Sequence, residues 1–208
     1  MKYTGPKYKL VRREGINLFG SAKYDVKKRR VLPGQKANGS SFVRLSDYGK
    51  LLRNKQVLKR MYLLTEKQFA KIVTQTSKKY AKNNNVAHDA ALIQFLERRM
   101  DAVVLAAGFA NTIMQARQMV GHAHFELNGV KHNIPSTFLN IGDKITVRGK
   151  LQSSPLYSSL AAQKGITPPS WLNVDYKNMT IELIRLPEPS EINVPVDLLK
   201  VVEFYARA

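Results

Sequence analysis

The chain has 208 residues, with 34 Lys and Arg against 15 Asp and Glu, a formal net charge of +19, and no cysteine. This length suffices for a buried core, and such a charge indicates a polyanionic partner. The lack of cysteine excludes disulfides and thiolate metal sites and favours a reducing cytosol, and no apolar run is long enough to span a membrane.

The positive charge is concentrated near the N-terminus. Residues 1–60 carry 17 basic and 3 acidic side chains, whereas residues 151–208 carry 5 and 6. We therefore expect the polyanion to contact mainly the first third of the chain. The nearly neutral C-terminal end is expected to serve packing or protein contacts.

Residues 1–45 are predicted to form an extended basic arm. They are rich in Gly, Ser, Asn and Lys, lack a sustained apolar period, and include the self-repelling run Lys27 to Arg30. A solvated flexible tail is one interpretation. Aromatic residues interleaved with the charges, such as Tyr8 and Phe19, favour RNA contact instead, because bases stack on aromatic rings.

Three helices are predicted next. Residues 45–62 combine an apolar stripe with a basic surface. Thr65 and Gln68 form a capping-box pattern that opens a second helix. Residues 86–108 read as a third helix that bends near Glu97.

The apolar period then changes from helical to alternating. Thr112 can cap a short helix, and two predicted strands flank Asn128-Gly129, a strong hairpin signal. Further strands are predicted at residues 143–147, 171–175 and 179–186, with a weak helix from residue 151.

The chain is predicted to end in an amphipathic helix over residues 195–207, with Pro195 near its first turn. Its expected apolar face consists of Leu198, Leu199, Val202 and Tyr205.

These elements predict an α+β protein of three parts. Residues 1–45 form the basic arm, and residues 46–97 form a helical domain closed by residues 195–208. Residues 98–194 form an inserted small mixed α/β module. Its expected core residues are Val103, Val104, Met114, Met119, Phe125, Leu127, Ile145 and Val147.

No pattern for catalysis stands out. The sequence has no Gly-rich phosphate loop, no H-E-x-x-H and no nucleophile elbow. His122, His124 and His132 could converge on zinc, but they lie near no carboxylate ligand. An RNA-facing surface is the favoured interpretation of these histidines, and we expect no metal, no other cofactor and no catalytic residue.

A resemblance appears in NTIMQARQMVGHAHFELNGVKHNIPS and NIGDKITV, within residues 111–147. This stretch resembles the small RNA-binding module named after ribosomal protein S-four. GPKYKLVRREGINLFG, RLSDYGKLLRNKQVLKRMY, LERRMDAVVLAAGF and PSWLNVD extend the resemblance over nearly the full length. The chain thus resembles the small-subunit ribosomal protein S-four family in its bacterial or organellar, cysteine-free form.

The resemblance implies that the protein is not an enzyme and binds small-subunit ribosomal RNA at a helix junction, early in assembly. It implies further partners, namely neighbouring small-subunit proteins and mRNA where it enters the ribosome, and an influence on decoding accuracy. We expect no membrane contact, a free monomer, and a location in the ribosome of the cytoplasm, or of an organellar matrix or stroma.

Two positions depart from the family's usual pattern. Lys36-Ala37 replaces the usual His-Gly, and Ile113 stands where relatives often have an Arg. The missing Arg would remove one phosphate contact.

The predicted RNA-contacting residues combine the basic arm, the first helix and the module. Such donors suit phosphate and sugar contacts, which position RNA without reading its sequence. For Arg117, an intrahelical or surface ion pair is the alternative. The set comprises Arg12, Arg13, Lys27, Lys28, Arg29, Arg30, Lys36, Arg44, Tyr48, Lys50, Arg53, Lys55, Lys59, Arg60, Arg98, Arg99, Arg117, Gln118, His122, Lys131 and His132.

Two other classes of protein carry the same module. Arg99-Met100-Asp101 resembles the segment around the aspartate of a pseudouridine synthase, but the chain leaves little room for a large catalytic domain. A free-standing RNA-binding factor would be shorter and would lack residues 1–60. A protein-only scaffold would not need the N-terminal charge.

Overall fold

The structure is a computed structural model that describes residues 3–25, 32–34, 45–82, 87–157 and 167–206. The chain forms two compact units. The first comprises Met1–Leu92 and Val194–Ala208, and the second comprises Ile93–Asn193. Helices build the first unit, whereas helices and a five-stranded antiparallel sheet build the second, so the fold is α+β as predicted. In the described ranges, no helix is both long and apolar enough to cross a membrane.

The first unit begins with helix α1, Lys7–Glu14. The prediction of extended backbone over residues 1–45 is wrong here, and a short 3-10 helix follows at Ala22–Tyr24. Charge density suggested an open chain, but Val11 and Phe19 are buried, so apolar packing stabilises the segment. Gly15 ends α1 in the left-handed conformation, with its N–H donating to the carbonyl of Val11.

Helices α2 (Asp47–Met61) and α3 (Glu66–Lys82) follow, and side chains cap both. The Ser46 hydroxyl accepts a hydrogen bond from the Gly49 N–H at 3.2 Å. The predicted capping box of α3 is confirmed. The Gln68 N–H donates to the Thr65 hydroxyl, and the Gln68 side chain accepts from the Thr65 N–H.

The C-terminal helix lies against α2 and α3, within the first unit. It spans Leu198–Ala206, and the Asp197 carboxylate caps it by accepting hydrogen bonds from the N–H groups of residues 199 and 200. We label it α8. The helix was predicted to begin at Pro195 but begins three residues later, because the Asp197 side chain provides the cap.

The predicted apolar face of α8 is wrong in part. The buried residues are Val201 and Phe204, whereas Leu199 is 63% exposed. The Phe204 ring packs against Tyr48 and lies 4.1 Å from the ammonium of Lys55, so the partners on α2 select the buried face.

The second unit holds the C-terminal half of α4 (His88–Glu97), then α5 (Met100–Ala106) and α6 (Ile113–Gly121). The bend expected near Glu97 is a break between α4 and α5. The predicted Thr112 cap is confirmed, since its hydroxyl accepts from the Gln115 N–H.

The sheet of the second unit has the order β2-β1-β3-β5-β4. Its strands are β1 (Phe125–Leu127), β2 (Val130–His132), β3 (Lys144–Val147), β4 (Leu172–Asp175) and β5 (Thr180–Leu183). The predicted Asn128-Gly129 hairpin is confirmed, and both turn residues have positive φ, 52° and 80°. A short helix, α7 (Gly149–Gln152), follows β3. Residues 158–163 of the predicted weak helix lie outside the described residues.

The core of this unit lies between α5, α6 and one face of the sheet. Most of the predicted core residues are buried there. Leu127 is partly buried against the core, and Met114 lies outside it, because Ile113 and Ala116 are the residues that α6 turns inward. Trp171 and Tyr157 are the largest fully buried side chains.

Candidate nucleic-acid interface

Helix α6 presents polar side chains on the side opposite its buried residues. Ala116, Met119 and Val120 are buried, which leaves Gln118 exposed and the Arg117 side chain 25% exposed. A helix with one apolar stripe places its remaining positions toward solvent. Arg117 and Gln118 therefore occupy positions from which they can donate to phosphate or sugar oxygens.

A buried carboxylate holds Arg117. Asp101 accepts from Arg99 through two hydrogen bonds, at 3.1 and 2.9 Å, and from Arg117 at 3.3 Å. The Arg99 and Asp101 side chains are only 3% and 1% exposed. Burial raises the pKa of Asp101, and the guanidiniums of Arg99 and Arg117 oppose this effect. Both carboxylate oxygens accept hydrogen bonds, which fits an ionised carboxylate between two cations.

This arrangement corrects the prediction that Arg99 contacts RNA. A side chain that is enclosed and bound on two nitrogens by Asp101 cannot reach a ligand. Arg117 does form an ion pair, but its partner is the buried Asp101 on α5, so the pair is neither intrahelical nor at the surface. Burial also lowers the pKa of Arg117, with Asp101 opposing that effect. Asp101 leaves part of the Arg117 guanidinium exposed and holds it in one orientation.

Arg98 is held by a different set of acceptors. Its Nε donates to the Leu139 carbonyl at 2.7 Å and its Nη2 to the Asn140 side chain at 2.8 Å. Burial lowers the pKa of Arg98, and the charge of Asp143 opposes this. These bonds arise because the chain after β2 runs alongside the start of α5, where the Met100 N–H donates to the Thr137 carbonyl.

The hairpin carries the next predicted residues. Lys131 on β2 is exposed, whereas His132 is half-buried and its Nε2 lies 2.6 Å from the Thr137 hydroxyl. Lys131 pairs in register with Glu126 of β1. Of the two predicted residues, Lys131 is the better placed to contact a ligand.

The remaining histidines of the hairpin region are His122 and His124, whose ring centroids lie 6.3 Å apart. His122 is exposed at the end of α6, and His124 lies 2.9 Å from the Tyr157 hydroxyl through its Nδ1. Burial lowers the pKa of His124, and the charges of His122 and Arg148 add to this effect. Among the described residues, no group of three potential metal-ligating side chains occurs.

In the first unit, two carboxylates engage much of the predicted basic surface of α2. Glu14, whose side chain is 1% exposed, accepts from Arg53 at 3.0 Å and from Arg60. Arg53 and Arg60 are seven residues apart, two helical turns, so they share one face of α2. No local signal in the sequence pointed to Glu14, which lies 39 and 46 residues away from these partners.

Glu66 engages two further cations of α2. It accepts from Lys55 at 2.9 Å, from Lys59 at 2.7 Å and from the Tyr205 hydroxyl. Burial raises the pKa of Glu66, but these three hydrogen bonds outweigh it and lower the pKa to about 2. Lys55 is itself buried beneath Phe204, which corrects the prediction that Lys55 contacts RNA.

Several predicted residues of the first unit stay accessible. Arg13, Tyr48 and Lys50 are exposed, and Arg12 is half-buried, with its guanidinium donating to the Leu32 carbonyl at 3.3 Å. Six predicted RNA-contacting residues of the N-terminal arm lie outside the described residues: Lys27, Lys28, Arg29, Arg30, Lys36 and Arg44.

Two family models match consecutive parts of the chain. Residues 2–97 match the "Ribosomal protein S4/S9 N-terminal domain", and residues 98–145 match the "S4 domain". The chain belongs to the ribosomal protein S4 family. The boundary between the two matches falls at the break between α4 and α5, and the second match ends within β3.

Curated members of the family match the whole chain. A small ribosomal subunit protein uS4 from Kosmotoga olearia is 39% identical over 213 residues, and one from Thermotoga maritima is 40% identical over 214 residues. In both, the alignment covers 99% of each chain. A protein uS4B from Nitrosomonas europaea is 37% identical over 207 residues, which cover 99% of this chain and 98% of its own.

Membership of this family decides between the interpretations left open by the sequence. The chain is a ribosomal protein and not an enzyme, so the likeness of Arg99-Met100-Asp101 to a pseudouridine synthase carries no catalytic role. The structure supplies the reason for those residues, because Arg99 and Asp101 form a buried ion pair. The full-length match also excludes a short free-standing factor.

Proposed function

We propose that this chain, a structural protein of the small ribosomal subunit, binds small-subunit ribosomal RNA directly at a helix junction and nucleates assembly around it. The observation that carries the proposal is the set of donors in the second unit. Arg117, Gln118 and Lys131 are accessible, and the Asp101 carboxylate orients the first of them. Oriented donors suit contacts to phosphates of a folded RNA, which is recognised by shape.

The charge distribution supports the same proposal. Residues 1–60 carry a net charge of +14, counting Lys, Arg, Asp and Glu. Within that range, Glu14 engages Arg53 and Arg60, and these two cations are therefore partly neutralised. Among the described residues, Arg13 and Lys50 are exposed and provide accessible positive charge. We propose that residues 1–45 bind RNA phosphates together with the module, and that the free protein is a monomer.

Filter binding to small-subunit ribosomal RNA across a salt series tests this proposal. Affinity should fall steeply with salt, with a slope on the order of −0.7 to −0.9 per neutralised phosphate. Lys131→Ala should weaken binding by roughly 1 kcal/mol and flatten the slope by about one contact. Lys177→Ala removes the same charge from the turn between β4 and β5, at the opposite edge of the sheet from β2, and should change neither quantity. Affinity independent of salt would contradict the proposal.

The resemblance also motivates finer roles. We propose that the protein contacts neighbouring small-subunit proteins, lies where mRNA enters the ribosome, and influences decoding accuracy in the cytoplasm or in an organelle. Small subunits reconstituted with wild type or with Lys131→Ala can be compared for stop-codon readthrough. Readthrough that stays unchanged in subunits carrying Lys131→Ala would argue against the decoding role.

A further inference from the structure

The first unit contains a cavity that none of the contacts described above uses. Its volume is about 480 Å³, within the range of roughly 300–1,000 Å³ that is usual for small-molecule pockets. The wall includes apolar and aromatic groups, and it also includes cations. The lining comprises Tyr3, Thr4, Gly5, Lys7, Leu10, Phe19, Gln56, Lys59, Arg60, Leu63, Leu64 and Thr65.

The chemistry of this lining matches one nucleotide. Tyr3 is exposed and its ring packs over Gly5, so a flat ligand can stack on it. Three cations line the cavity and no carboxylate does. Lys59 and Arg60 are engaged by glutamates, whereas Lys7 makes no ion pair within the described part of the chain.

Backbone strain at the cavity is a second, independent observation. Leu63 has φ of +51°, in the left-handed region that favours glycine. It lies just after α2, where its N–H donates to the Arg60 carbonyl and the Leu64 N–H donates to the Lys59 carbonyl. This is the Schellman ending of a helix, at which glycine is the usual residue. Leu63 is half-buried and lines the cavity, so the residue with this backbone conformation places its side chain at the cavity wall.

We propose that this cavity holds one unstacked nucleobase of the bound ribosomal RNA, with the adjacent phosphate near Lys7. The proposal rests on the function proposed above. Tyr3 and Leu63 provide the apolar contact with the base. Gln56 also lines the cavity. Its side-chain amide has two hydrogen-bond donors and one acceptor oxygen, with which it can hydrogen-bond to the edge of the base. An aliphatic side chain of a neighbouring protein would fill the apolar wall but would give Lys7 no anionic partner.

Photochemical cross-linking tests the contact. The complex of the full chain with small-subunit ribosomal RNA is irradiated with ultraviolet light and digested with trypsin. We expect one nucleotide to be attached to the peptide of residues 3–7, which contains Tyr3, or to that of residues 14–23, which contains Phe19. Replacing that nucleotide by each other base should change affinity in wild type, and Gln56→Ala should reduce the differences.

The variant Leu63→Gly separates ligand contact from folding. Glycine suits the left-handed conformation, so thermal melting should not fall, whereas affinity for the RNA should weaken about tenfold through loss of base contact. Leu199→Ala, which shortens an exposed leucine of α8, is the matched control and should bind as wild type. If Leu63→Gly failed to fold, Gln56→Ala and the cross-link would still decide the proposal.

The outcomes separate this inference from the function on which it rests. Wild type that fails to bind the RNA would reject both. Wild type that binds, with no cross-link at residues 3–7 or 14–23 and unchanged affinity in Leu63→Gly, would reject the nucleobase alone. So would a Leu63→Gly protein that keeps its RNA affinity but loses a neighbouring protein from reconstituted subunits, since the cavity would then hold a protein side chain.

Discussion

Replacing Asp101 by Asn should destabilise the second unit severely. The carboxylate accepts two hydrogen bonds from Arg99, one from Arg117 and one from the Ala102 N–H. An amide of the same shape would turn an NH₂ group toward guanidinium donors and leave the Arg99 charge enclosed without a counter-charge. Breaking a buried ion pair on one side costs about 3–5 kcal/mol.

The chain contains a convenient probe for this measurement. Its single tryptophan, Trp171, is buried in the core of the second unit, so Trp171 fluorescence reports the unfolding of that unit in urea. We expect the free energy of unfolding of Asp101→Asn to be about 3–5 kcal/mol below wild type. The isosteric change Asp47→Asn, at a side chain that is 90% exposed, is the control and should cost less than about 0.5 kcal/mol.

A compensating double variant checks the cause. Arg99→Met with Asp101→Leu replaces the buried pair by apolar groups of similar volume, and such replacements are often neutral. It should recover most of the stability lost in Asp101→Asn. If Asp101→Asn unfolded within 1 kcal/mol of wild type, the carboxylate would not be the buried counter-charge described here.

Three further results are expected. The depressed pKa of Glu66 means that its contribution to stability is present above the unfolded value of 4.5 and is lost as the pH falls toward about 2. The full shift would correspond to about 3 kcal/mol. Because the side chain is 46% exposed, we expect Glu66→Gln to lower the free energy of unfolding by only about 1 kcal/mol at neutral pH. The difference in melting temperature between the variant and wild type should shrink as the pH falls. A difference that stays the same in acid would contradict this prediction. Phe204→Ala should lower the free energy of unfolding of the first unit, measured by calorimetry, by about 3–5 kcal/mol. If the exposed Leu199→Ala lost as much stability as Phe204→Ala, the docking of α8 through Phe204 would be wrong. Asn128→Ala should lower the free energy of unfolding of the second unit in urea by about 1–2 kcal/mol, since it removes the hydrogen bond to Asp143 and places alanine at a positive φ. An unchanged free energy would show that the hairpin forms without the Asn128 side chain.

Features that depend on a few neighbouring residues were readable from the sequence. The capping residues Thr65 and Thr112 and the Asn128-Gly129 turn each satisfy backbone geometry within four residues. The excess of cations in residues 1–60 is likewise a property of composition. These features sufficed to predict the α+β class, the hairpin, most of the helices and a polyanionic partner.

Tertiary structure alone decided which of those cations remain available to a ligand. Arg53 and Arg60 meet Glu14, which lies 39 and 46 residues away along the chain, through contacts that no local period reveals. The sequence of α2 places Lys55 among its surface residues, but the ring of Phe204, near the C-terminus, covers it. A charge is free or paired according to which distant segment packs against it, and packing depends on the whole fold rather than on spacing along one helix.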